Sequence, residues 1–333
     1  MERRELGGTG MELSVIGLGT WVFGGRWGGA DDADSLAACH AAIDAGCNGI
    51  DTADIYGQGR AERVVGRVLR ERRDEVLVAT KGGVAWAFEP GLRIWREASA
   101  GYLRMALDRS LLALGVDHVD LYQVHWPVAD VPAQETIGAL QELKVAGKIR
   151  AVGVSNYDAA GLRAAHAAGG IDAFQAGYHV FRRDIEAAEI PWCGGNGVGV
   201  LAYGPLAHGL LTGKMTEATA FPADDWRAQS ELFSDDAFPD RVAAVRELAA
   251  VAAQAGRPGG VAELAVAWVL RRPEVTSAII GARDAAQATA NAALAGRPLT
   301  ADEEAAIEAV LARHPPASRH YGHGEPPDRA ADA

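Results

Sequence analysis

Strand-type and helix-type segments alternate along almost the whole chain, a pattern that favours repeated βα units and a parallel sheet. Eight such units are discernible. The expected barrel strands cover residues 15–20, 49–53, 76–80, 119–124, 151–154, 173–176, 199–202 and 276–280, after an opening hairpin over residues 4–13. The fold class expected is therefore α/β: a (β/α)8 TIM barrel with an N-terminal hairpin and extra C-terminal helices. A length of 333 residues suits one barrel domain.

Local signals support the helices between the strands. Leu103, Leu107, Leu111 and Leu114 form one stripe at close to helical spacing. Asp31 to Asp34 are placed to cap a helix that runs to Ala45, and Thr300-Ala-Asp-Glu303 reads as a capping box opening a last helix to Arg313. The stretch after Lys81, with Trp86, Phe88 and Trp95, is expected to be loop, and a helix is expected around residues 185–192. The connection from Gly204 to Pro239 is long, broken by glycine and proline, and has few evident anchors. It is expected to be mobile until a ligand orders it. Residues 1–313 are expected to form the barrel domain, and the proline-rich, aperiodic residues 314–333 a flexible tail.

Composition narrows the function. Apolar residues make up 49% of the chain, enough for a sizeable core, and no run is long enough to span a bilayer. A net charge of −12 argues against non-specific nucleic-acid binding, which needs a basic face. Cys39, Cys47 and Cys193 form no Cys-x-x-Cys pair, so neither a metal site nor a disulfide is expected, and a reducing, cytoplasmic location fits. His314, His320 and His323 read as solvated tail residues. Gly17-Leu-Gly19 lacks the third glycine of a dinucleotide fingerprint, and Gly209-Leu-Leu-Thr-Gly213-Lys214 is one residue short of a P-loop.

The strand ends carry the chemistry. Asp51 and Tyr56 lie in Gly49-Ile-Asp-Thr-Ala-Asp-Ile-Tyr-Gly57, Lys81 ends Val76-Leu-Val-Ala-Thr-Lys81, and His125 follows Leu121-Tyr-Gln-Val124. A barrel presents such residues at its C-terminal mouth. A tyrosine can donate a proton, a lysine beside it favours the phenolate, an aspartate holds the lysine, and a histidine orients a carbonyl. Trp21, Trp86 and Trp126 follow strands one, three and four and are candidates to touch a substrate at the mouth.

In the order and context of Asp51, Tyr56, Lys81 and His125 the chain resembles the aldo-keto reductases, barrel enzymes that pass hydride from a nicotinamide cofactor to a carbonyl. The resemblance runs from about Arg4 to about Leu311. It implies NADPH as cofactor and a small carbonyl compound as substrate, with no nucleic-acid or membrane partner and a monomer or weak homo-oligomer. It also assigns cofactor residues. Ser155, Asn156 and Gln175 match those that bind the nicotinamide carboxamide, and Tyr203 matches the ring that stacks on the nicotinamide. Pro205, Leu206, Gly209, Leu211, Gly213 and Lys214 match the segment over the pyrophosphate. Gly281, Arg283, Gln287 and Asn291 match the site for the adenosine phosphate and adenine at a helix N-terminus.

Two positions depart from that pattern: Gly204 stands where a serine is common, and Ile280 where a proline is. In the mechanism implied, Tyr56 protonates the nascent alkoxide while Lys81 lowers the pKa of Tyr56 toward the working range. Two alternatives remain: a cofactor-sensing regulatory subunit with slow turnover, and a sugar or alcohol dehydrogenase running oxidatively.

Overall fold

The chain opens with an antiparallel hairpin, in which β1 (Arg3–Glu5) pairs with β2 (Glu12–Ser14). The computed structural model describes residues 1–24, 31–88, 91–222, 225–234 and 237–315. β3 (Ile16–Gly19) is followed by α1 (Asp32–Asp44), whose N-terminus is capped by Asp31 accepting from the Ala33 amide at 2.6 Å. β4 (Gly49–Asp51) leads to α2 (Arg60–Arg72). After β5 (Leu77–Gly82), the stretch expected to be loop folds into a second hairpin, β6 (Val84–Ala87) with β7 (Arg93–Arg96), ahead of α3 (Ala100–Leu114).

The alternation continues through β8 (Val119–Val124) and α4 (Ala133–Val145), then β9 (Ile149–Ser155) and α5 (Ala159–Ala167). β10 (Ala173–Gly177) is followed not by the one helix expected over 185–192 but by a 3-10 turn, Asp184–Glu186, and a short α6 (Glu189–Gly195). β11 (Gly199–Tyr203) precedes 3-10 turns at Ala207–Thr212, Trp226–Gln229 and Glu231–Phe233. Then come α7 (Phe238–Gln254), α8 (Gly260–Leu270), β12 (Val275–Gly281), α9 (Ala285–Ala292) and α10 (Ala301–Arg313). Thr300 and Glu303 form the expected reciprocal capping box at the start of α10.

Eight strands, β3, β4, β5, β8, β9, β10, β11 and β12, close into a barrel with every neighbour pair parallel. Alternate residues face inward, so the interior fills in layers. Leu6, Met11 and Leu13 of the opening hairpin plug the bottom, and Ala79, Leu121, Ala151, Ala173, Leu201 and Ile279 fill the middle. Two residues further along β5, β8, β10 and β11 the layer turns polar, with Lys81, Gln123, Gln175 and Tyr203. The larger apolar cluster lies outside the barrel, between strands and helices.

The connection after β11 is better anchored than its composition suggested. Leu232 is fully buried, and the rings of Phe221, Phe233 and Phe238 pack together at centroid distances of 4.8–6.4 Å. The buried Arg241 donates to the carbonyls of Glu231 and Leu232 at 2.9 Å each. At the other end, His314 is tied to α7, with Nδ1 2.6 Å from Asp240 and Nε2 3.2 Å from Glu247. Residues 316–333 of the expected tail, including His320 and His323, lie outside the described residues, as do residues 25–30 of the loop after β3. No helix among the described residues is long and apolar enough to cross a membrane.

Candidate active site

Asp51 is the last residue of β4, and the strand pleat turns its carboxylate into the barrel. Lys81, one residue before the end of β5, is fully buried, so its ammonium needs a partner inside. That partner is Asp51: Nζ donates to Oδ1 at 2.6 Å and to the Thr52 carbonyl at 3.0 Å. The third donation of Nζ is to the Tyr56 hydroxyl, at 3.4 Å. Since Tyr56 accepts there, its own proton remains available to be given away. The His125 ring stands edge-on to Tyr56, with centroids 5.7 Å apart. The four residues expected from the sequence therefore meet at one point of the mouth.

The second Asp51 oxygen is also satisfied. Gln175 donates to it at 2.8 Å and Gln123 at 3.5 Å, while Gln175 also donates to the Gln123 carbonyl oxygen at 3.4 Å. Gln175 thus spends its amide hydrogens beneath the site, and its carbonyl oxygen is what it offers a ligand. Gln123 was missed in the sequence. The signal was present, because Gln123 lies two positions before His125 and so faces the same side of the strand.

The electrostatics correct one expectation. Burial pushes the Tyr56 hydroxyl well above its usual range, and the Asp51 carboxylate adds to that shift, so Lys81 does not bring it toward neutrality. The reason is the short Lys81–Asp51 contact, which compensates the ammonium. Burial in turn lowers the pKa of Lys81, with Asp51 opposing. Burial, then the nearby Lys81, holds His125 well below the usual histidine range, so its imidazole is neutral at pH near 7. Among the described residues His125 Nδ1 is buried without a partner.

A second cluster adjoins the first across β9 to β11. Asn156, in a left-handed conformation at φ 62°, donates to the His125 carbonyl at 3.0 Å and to Ser155 Oγ at 3.1 Å. Tyr203 donates to Asn156 Oδ1 at 2.9 Å. Arg182, unforeseen in the sequence, donates to the Tyr203 hydroxyl at 3.3 Å. Ser155, Asn156 and Tyr203 thus lie together beside His125.

The segment after Tyr203 has the backbone of an anion cradle. Gly204, Ala207, His208, Gly209 and Gly213 all have positive φ, turning the chain tightly on itself. At φ +65°, Gly204 occupies a conformation that would strain the serine common at this place, which gives the departure a backbone reason. Pro205, Leu206 and Leu211 are buried, the two leucines packing in the core, so what they can offer a ligand is main chain. Lys214 is exposed. Farther along the mouth, Asp284 caps α9, Gln287 accepts from the Arg283 amide at 3.2 Å, and Asn291 donates to the Gly281 carbonyl at 3.0 Å. The exposed Arg283 guanidinium has no ion pair among the described residues. The turn after Tyr203 and the N-terminus of α9 are each places where main-chain amides can meet an anion.

Trp21, Trp86 and Trp126 do not form one group. Trp21 meets Trp226 at 5.3 Å and His208 at 6.3 Å between centroids, Trp126 lies under Arg96, and Trp86 lies near Arg109. Trp226, from the connection after β11, was not singled out in the sequence. Among the described residues no group of three or more His, Cys, Asp or Glu could hold a metal ion.

Residues 15–312 match the sequence model described as the aldo/keto reductase family. The chain is 38% identical to the aldo-keto reductase YhdN of Bacillus subtilis (strain 168), over 93% of this chain and 94% of that protein. It is 33% identical to the NADH-specific methylglyoxal reductase of Escherichia coli (strain K12), over 88% and 93% of the two chains. Among solved structures it superposes on the glycerol dehydrogenase of Gluconobacter oxydans with a TM-score of 0.88 at 37% identity, covering 96% of this chain and 98% of that one. An aldo-keto reductase from Bacillus halodurans, in its holo form, gives a TM-score of 0.79 at 28% identity, with 93% and 96% covered.

Proposed function

The chain belongs to the aldo/keto reductase family, oxidoreductases of small carbonyl compounds with nicotinamide cofactors, and we propose that it is an NADPH-dependent reductase of an aldehyde or ketone with Tyr56 as general acid. The observation that supports this most is the Asp51–Lys81–Tyr56 chain with the His125 ring against it. When bound, the reduced cofactor supplies the hydride for the carbonyl carbon. As negative charge grows on the substrate oxygen, Tyr56 gives up its proton. Lys81 Nζ, already donating to the phenol oxygen, stabilises the phenolate left behind, and Asp51 keeps the ammonium aimed. A neutral His125 donates one hydrogen bond to the carbonyl oxygen and orients it.

Tyr203, Ser155, Asn156 and Gln175 hold the nicotinamide end in this reading. The turn from Pro205 through Leu206, Gly209, Leu211 and Gly213 to Lys214 takes the pyrophosphate, and Gly281, Arg283, Gln287 and Asn291 take the adenosine end. Trp21, Trp86 and Trp126 border the substrate. The whole site belongs to one domain, residues 1–313. NADPH is favoured because the exposed Arg283, with no ion pair among the described residues, can meet a 2′-phosphate with charge-assisted hydrogen bonds. The test is cofactor oxidation, with NADPH and NADH in parallel, against methylglyoxal, aromatic aldehydes, sugars and simple ketones. Turnover with NADPH preferred is expected, and no turnover of any carbonyl with either cofactor would remove the reading.

The likeness to a structure titled a glycerol dehydrogenase favours one second reading, oxidation of an alcohol or polyol by the same residues. In that direction the Tyr56 phenolate accepts the proton. Cofactor reduction with glycerol and related polyols, at rates above those of the reductive panel, would favour it.

A further inference from the structure

Immediately after β10 the chain makes a tight turn. His179 and Arg182 exchange backbone hydrogen bonds at 2.8 and 3.2 Å, and the turn brings Arg182 back to the barrel mouth. There its guanidinium lies on Gly177, the last residue of β10 and the register partner of Tyr203. The fit is close: a Cβ added to Gly177 would lie 2.3 Å from Arg182 Nη1 and 3.1 Å from the Tyr203 ring. Only glycine leaves room for both. Arg182 Cζ is 5.9 Å from the Tyr203 ring centroid, and its hydrogen bond to the Tyr203 hydroxyl starts a chain that runs on to Asn156.

Two of the cations at this mouth, Lys81 and Arg182, are compensated unequally. The Lys81 ammonium is 2.6 Å from Asp51 in a dry setting. Among the described residues Arg182 is ion-paired with Asp184, at 3.5 Å, and that side chain is 37% exposed while Arg182 is 12% exposed. Solvent therefore weakens the compensation of a guanidinium that is itself mostly out of water. A nicotinamide ring is cationic when oxidised and neutral when reduced.

We propose that Arg182 makes the site sense the redox state of the nicotinamide, admitting the neutral reduced ring more readily than the cationic oxidised one. The proposal rests on the reading of Tyr203 as the ring that stacks on the nicotinamide. A unit charge several ångströms away, at the effective dielectric of a partly buried site, separates the two forms by roughly tenfold in affinity.

The test is equilibrium binding, by titration of protein fluorescence, of the oxidised and reduced members of whichever pair, NADP or NAD, the wild-type chain binds more tightly. Arg182→Met removes the charge at similar length, Arg182→Lys keeps it, and Tyr203→Leu removes the stacking ring. The ratio of oxidised to reduced Kd is expected to fall about tenfold in Arg182→Met and to hold within about twofold in Arg182→Lys. Tyr203→Leu should weaken both forms alike. An unchanged ratio in Arg182→Met, or an equal fall in Arg182→Lys, overturns the proposal while leaving the cofactor site in place. Failure of Tyr203→Leu to weaken either form overturns the stacking reading, and the proposal with it.

Discussion

Burial holds Tyr56 neutral, and in the proposed mechanism the residues behind it act once its proton has left. Lys81 cannot ease the departure in advance, because Asp51 compensates its charge at 2.6 Å. Its proposed part is to stabilise the phenolate. The proposed adenosine end depends on one residue in a comparable way. Arg283→Ala is expected to weaken NADPH binding by about 10- to 150-fold, the loss of a charge-assisted contact worth about 1.5–3 kcal/mol, and to leave NADH nearly untouched. Parallel titrations with the two cofactors check this, and equal weakening would remove Arg283 as the reader of the 2′-phosphate.

Asp54 offers a prediction in stability. It is 2% exposed, and among the described residues neither carboxylate oxygen has a hydrogen-bond partner. Burial, followed by the nearby charge of Glu62, raises its pKa well above the usual value. A folded pKa above the unfolded one means that the stabilising contribution is complete below the unfolded value and is lost as pH rises through the folded value. Asp54→Asn is therefore expected to match the wild type in Tm near about pH 4 and to exceed it at neutral pH. Melting curves across that range decide the matter, and a Tm difference independent of pH would contradict it.

At the scale of elements, the connection between β11 and α7 is the clearest case of structure hidden from the sequence. Its prolines and acidic residues suggested a loose strap, yet Arg241, ten residues beyond Glu231, fastens it by two carbonyls. Arg241→Ala leaves those carbonyls without their cation, at a cost of about 1–3 kcal/mol. Hydrogen exchange should accelerate through residues 230–234 in that variant, and unchanged protection would mean the aromatic packing alone holds the strap. The β6–β7 hairpin escaped notice for a related reason. Its strands are four residues each, Val-Ala-Trp-Ala and Arg-Ile-Trp-Arg, too little to separate from a loop.

The barrel strands, by contrast, were legible because short, mostly apolar runs of four to six residues between helical periods leave few alternatives. The catalytic candidates could be read because each sits at a strand end or in the loop after it, where a barrel exposes polar residues. Arg182 could not, since only the turn from His179 brings it back to Tyr203. The sign of the Tyr56 shift was equally out of reach, because it depends on a distance between residues 51 and 81 that composition does not encode.

For the whole molecule, a closed parallel barrel plugged below by its hairpin leaves one polar end, and all the candidate chemistry gathers there. Family membership makes the chain an oxidoreductase of carbonyl compounds, and the central claim beyond that is that Tyr56 supplies the proton. The direct measurement is kcat for a carbonyl substrate in Tyr56→Phe, with cofactor Kd measured on the same preparation. A loss of kcat of at least about 100-fold at unchanged cofactor affinity is the outcome expected when a general acid is removed and its ring kept. Turnover close to that of the wild type would contradict the account.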